Sequence, residues 1–214
     1  MENSPAGTFR PYRNDALNHL YALLFCDDEA AYRTNHSDPS AHPWAVLFAA
    51  APDPNALLQL AQDTSLESRV RALAATKLHA LGGPAPKLEL LGVVVEVGLD
   101  QGLDVLAVFA DGTARYINQA ESAIIFDAPN ATTAELVNNL WQQSITVVNR
   151  IGPWDKARLE PPAKGLVRLS FLVSGQLYFG QGPIDMFFKD PMAGPVLHAA
   201  TQIMQYLTQN AGGK

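Results

Sequence analysis

The 214-residue chain is 48% hydrophobic and 17% charged, which provides enough apolar material for a sizeable core, as one large domain or two small ones, and excludes a disordered chain. A formal charge of -6 without any Lys/Arg cluster argues against nucleic acid or an anionic membrane surface as partner. The longest apolar run, Trp44 to Ala51, falls well short of the roughly 20 residues a bilayer demands, and MENSPAGTFRPYR lacks the charged-then-apolar order of a signal peptide, so a soluble, cytoplasmic protein with no membrane partner is expected.

Leu17, Leu20, Tyr21, Leu24 and Phe25 recur at helical spacing, with Asn14 or Asp15 as N-cap, and predict a first amphipathic helix. The polar stretch 33–43 reads as turns, Trp44 to Ala51 as a short buried helix, and Asp53-Pro54 as the start of a helix to about Gln62. Thr64 or Ser65 is expected to cap another helix, whose stripe of Leu66, Val70, Leu73, Ala74, Leu78 and Leu81 stops at Gly82-Gly83-Pro84. Residues 1–83 thus form a helical region. Residues 84–214 form a sheet region, either a separate domain or one integrated with the first.

Short Val, Ile, Leu, Phe and Tyr runs alternating with Gly/Asp turns predict strands at about 88–98, 103–110, 113–118 and 122–127. Asp111-Gly112 between apolar runs is the strongest short hairpin signal in the chain. Thr132 with Glu135 reads as a capping box for a helix to about Val148, striped by Leu136, Val137, Leu140, Trp141 and Ile145. Strands at about 166–173 and 176–180, joined at Ser174-Gly175, precede a last helix that begins near Pro191 or Pro195. The fold class is therefore α+β: one antiparallel sheet of about six strands, meander plus hairpin, with helices packed on it and an all-helical N-terminal third before it. In topology alone this order resembles the profilin-like and longin-like scaffolds, with no motif of either family present.

No chemical motif declares itself. Asp27, Asp28, Glu29, His36, Asp38 and His42 gather in one polar segment, but His36 and His42 are six apart with Pro39 between them, a spacing that matches no metal-ligand template, and the segment reads as a solvated loop. His19, His79 and His198 read as packed or surface residues, and Cys26 in LLFCDD as a small buried one. Ser174-Gly175 is a hairpin turn and no nucleophile elbow, while Gly180-Gln181-Gly182 lacks the further Gly or Lys of a phosphate loop. No metal or cofactor is expected.

Two features point towards binding. Period two places Arg115, Ile117 and Gln119 on one face of a strand and Tyr116 and Asn118 on the other. These polar groups suit a small polar ligand, with Glu96 or Asp104 as acid/base; the plainer expectation pairs Arg115 with Asp104 or Glu96 and leaves Glu96 facing solvent. The segment 182–195 reads as a loop whose Ile184, Met186, Phe187, Phe188 and Met192 either fold onto the sheet or form an exposed interface patch. The leading expectation is a non-catalytic binding or regulatory protein acting through a protein partner or self-association, including a homodimer. The alternative is a small-molecule-binding protein or enzyme at Arg115, Tyr116 and Asn118.

Overall fold

The Asn14 side chain accepts hydrogen bonds from the Ala16 and Leu17 amides and starts α1 (Asp15–Leu23), as expected of an N-cap. The structure, a computed structural model, describes residues 9–34, 38 and 40–210. Asp28 then accepts from the Ala31 amide at the head of α2 (Glu29–Thr34), so part of the segment expected to be a solvated loop is helical. α3 (Trp44–Leu47) and α4 (Pro54–Gln62) follow, the latter capped by Asp53. α5 (Ser68–Ala80) starts later than Thr64 or Ser65 would place it. Its start is set from a distance: the Ser68 amide donates to Asp111 Oδ2 (2.7 Å) and the Ser68 hydroxyl accepts from the Asp111 amide (2.9 Å), which ties the helix to the Asp-Gly turn.

The meander β1 (Leu90–Gly98), β2 (Leu103–Phe109), β3 (Ala114–Ile117) and β4 (Ala123–Phe126) forms where the apolar runs predict it. α6 (Ala131–Val148) comes next, capped by Asn130 with Thr133 and not by Thr132 with Glu135. Extended Asn130 reaches the Thr133 amide, and the Thr133 hydroxyl accepts from the Asn130 amide. β5 (Leu166–Val173) and β6 (Gln176–Pro183) are joined by Ser174 at φ 44° and Gly175 at φ 86°, the pair of left-handed residues that a two-residue hairpin requires. Segment 184–189 is the short helix α7 (Ile184–Lys189), where the sequence suggests a loop, and α8 (Ala193–Asn210) closes the chain with its first amides held by Asp190.

All six strands pair antiparallel in the order β4-β3-β2-β1-β5-β6, with Glu96 of β1 opposite both Val105 and Arg168. Helices cover both faces of the sheet. Leu91, Val94, Val105, Phe109 and Ile117 pack with α1 to α5, while Val93, Val95, Leu106, Tyr116, Leu169 and Phe171 pack with α6 and α8. That double burial explains why β1 reads LLGVVVEVG, a nearly continuous apolar run without polar alternation. A register shift between Leu90 and Gly92 breaks the alternation there, so that Leu90 joins Val93 on one side of the sheet and Leu91 joins Val94 on the other, each pair three residues apart.

Candidate functional site

The polar residues singled out on the meander divide between the two faces. Tyr116 and Asp104 meet on the α6/α8 side, where the Tyr116 hydroxyl donates to Asp104 Oδ2 (2.8 Å) and the Gln119 amide donates to Asp104 Oδ1 (2.6 Å). Burial, then the hydrogen bond and charge of Asp104, raise the Tyr116 phenol well above its ordinary value, so it stays protonated and donates. Arg115 lies on the opposite side, buried, and its partners are the Ala114 and Phe126 carbonyls and the Asp127 carboxylate (2.6 Å), in place of Asp104 or Glu96. Asn118 closes a turn by accepting from the Ser122 amide (2.9 Å). The five residues therefore do not converge on one point.

Glu96 is fully buried and does not face solvent, because α1 and the segment before β5 cover its side of the sheet. Its carboxylate accepts from the Tyr21 hydroxyl (2.6 Å) and pairs with Arg168 (3.4 Å) on the neighbouring strand. Desolvation pushes the Glu96 carboxyl up; Tyr21 and then Arg168 pull it partly back. Arg168 also binds Gln181 Oε1 (2.9 and 2.7 Å) and the carbonyls of Leu159 and Glu160, which ties the segment preceding β5 to the sheet. The sequence reading missed this network. Its available signal was a pair of opposite charges, Glu96 and Arg168, each in the middle of an otherwise apolar strand.

The expected interface segment behaves differently from a loop. On α7, Ile184 and Phe187 turn towards the sheet and Met192 packs beside them, whereas Met186 is 65% and Phe188 37% exposed. Phe187 fits because Gly182 carries no side chain: a Cβ there would run into its ring. Phe188 meets the exposed His198 edge-on at 5.3 Å. Between α7, α8 and the sheet lies a crevice of ≈ 90 Å³ whose walls include Leu106, Val167, Ile184, Phe188 and Met204, with Asp104 and Tyr116 at its base. One ligand-candidate pair and two interface candidates thus share a single site.

Its polar groups are already engaged. Tyr116 and Asp104 bond each other, and the Thr201 hydroxyl donates to the Leu197 carbonyl (2.8 Å). What remains is an apolar recess with the partly exposed Phe188 ring in its wall. Elsewhere, Glu29 pairs with Arg33 (2.6 Å) and Lys77 (2.5 Å), and Asp27 with Arg158 (3.0 Å). Among the described residues no group of three or more His, Cys, Asp or Glu could hold a metal ion, and His36 lies outside those residues. Cys26 is buried against the Tyr32 hydroxyl (3.3 Å), and burial pushes its thiol up to about 12.

Fold and crevice together define the chain as an α+β protein with an open six-stranded antiparallel sheet covered on both faces. No family model, curated protein or solved structure matches it, so the scaffold analogy from element order carries no argument. Among the described residues no helix is long and apolar enough to cross a membrane.

Proposed function

We propose that the chain is a non-catalytic binding protein whose α7/α8 crevice receives an apolar side chain of a protein partner. The observation that carries this reading is an apolar recess whose wall includes the 37% exposed Phe188 ring. Size supports a side chain over a free ligand, since ≈ 90 Å³ is well below the roughly 300–1,000 Å³ typical of small-molecule pockets. Chemistry supports it as well: with Tyr116, Asp104 and Thr201 bonded internally, a polar ligand would have to break bonds to gain them.

The test is selection from a displayed random-peptide library against the immobilised protein. Enriched peptides should share one large apolar residue and lose binding at least about tenfold to Phe188→Glu protein, as expected for an anchor in a desolvated pocket. Ile125→Ser, which alters another exposed apolar residue (60% exposed) on β4, should bind as the parent does. Peptides without a common apolar residue, or binding indifferent to Phe188→Glu, would refute the reading. Concentration-dependent light scattering abolished by the same substitution would identify the partner as a second copy of this chain.

A further inference from the structure

Strand β4 ends the sheet, and among the described residues β3 is its one strand neighbour. The Asn118 amide donates to the Ser122 carbonyl (3.0 Å), which sets the phase of the ladder. Backbone groups of Ser122, Ile124 and Phe126 turn towards β3, and those of Ala123 and Ile125 turn away from it. No other element among the described residues bonds to these outward amides and carbonyls. Beside them runs a groove of ≈ 620 Å³, lined by all of β4 and by Tyr206, Leu207 and Asn210 of α8. The opposite end of the sheet is partly closed, because the Trp154 amide donates to the Leu177 carbonyl of β6 (2.7 Å) and the Trp154 ring packs against Phe179.

An open edge is a template for another strand, and proteins commonly guard it with a lysine, a proline or a bulge. The four residues of β4, Ala-Ile-Ile-Phe, include neither lysine nor proline, and they pair with β3 in unbroken register. Ile124 and Phe126 pack on the α6/α8 side. Ile125 points to the other face and is 60% exposed.

We infer that β4 pairs antiparallel with β4 of a second copy of this chain, about a twofold axis at Ile125, and so joins two sheets into one. Self-complementarity selects this occupant. With Ile125 opposite the partner's Ile125, the outward amide and carbonyl of each meet their counterparts, Ile124 faces the partner's Phe126, and Ala123 faces the partner's Asp127. Apolar residues then meet along the strand and no like charges are opposed. Charge also fixes the register: an axis one residue back, at Ile124, would set Asp127 against the partner's Glu121, two carboxylates directly opposite. Because the same edge serves both copies, the assembly closes at two. Nothing in this pairing depends on the α7/α8 crevice.

Sedimentation equilibrium of the full chain at up to about 0.2 mM, high enough to read a weak dimer, tests the pairing. The parent should sediment as a dimer. Ile125→Lys and Ile125→Asp should each weaken dimerisation at least about tenfold, since each sets like charges against one another across the axis and removes the apolar pair. Melting temperatures close to the parent's would show both variants folded, as the exposure of Ile125 leads one to expect. An equimolar mixture of the two variants should regain the dimer, because opposite charges then face each other. Phe188→Glu should dimerise as the parent does, which separates this interface from the crevice. A parent monomeric at the highest concentration, a dimer that survives both charge variants, a mixture no more dimeric than either variant alone, or a dimer lost in Phe188→Glu would each overturn the inference.

Discussion

Replacing Arg168 by Met keeps an unbranched stem of similar length and removes the cation that faces Glu96. Arg168 is 3% exposed and Glu96 0%, so the substitution strands a carboxylate where neither water nor another side chain than Tyr21 reaches it. Breaking a buried pair by deleting one partner destabilises by about 3–5 kcal/mol, and the carbonyls of Leu159 and Glu160 lose their donor as well. Glu96 can reduce this loss only by taking up a proton. Its carboxyl is already pushed up by desolvation, and Arg168 is one of the groups holding it down, so the substitution raises it further. A carboxyl whose folded value exceeds its unfolded one binds its proton more tightly in the native state, so stability is greatest below the unfolded value and is lost as pH rises through the folded one. Urea unfolding followed by tryptophan fluorescence should therefore show Arg168→Met less stable than the parent by about 3 kcal/mol or more at pH 8, with a smaller difference at pH 5. The double variant Glu96→Gln/Arg168→Met should recover at least about 1 kcal/mol relative to additivity. A loss below about 1 kcal/mol, or an equal loss at both pH values together with additive single variants, would refute the claim that the Glu96 charge is what Arg168 neutralises.

Phe187→Ser should cost about 2–3 kcal/mol in the same assay, somewhat less than a fully buried ring, because Phe187 packs on Gly180 and Gly182 but is only partly buried; Phe188→Ser should stay within about 1 kcal/mol. Gly175→Ala should destabilise by more than about 1 kcal/mol, since Gly175 sits at φ 86° and its Cβ would strike the Ala75 carbonyl, which thermal unfolding would detect. Native Cys26 should be inert to Ellman's reagent at pH 8 and react once urea unfolds the chain, because its thiol is buried and pushed up to about 12; rapid labelling of the folded protein would contradict this.

Local chemistry in the sequence was sufficient to determine where the strands and most helices lie. Asp111-Gly112 and Ser174-Gly175 specify their hairpins by the backbone angles they tolerate, and the Leu136/Leu140 and Ile203/Leu207 stripes specify buried helix faces. Period two also separated Arg115 from Tyr116 correctly, because alternation is a property of the strand itself. It could not say what covers each face, and on that depended whether Glu96 met water or Arg168. The short helix α7 spans only six residues, too few for a period to show, so its division into packed Phe187 and exposed Met186 and Phe188 required the sheet against which it rests. The start of α5 was hidden for a related reason, because its donor and acceptor come from Asp111, 43 residues away. Glu96 and Arg168 are 72 residues apart and Asp27 and Arg158 131 apart. Those pairings arise only when β5 docks beside β1 and the helical third closes over them, since hydrogen bonds and ion pairs depend on distances in space that a periodicity along the chain does not contain.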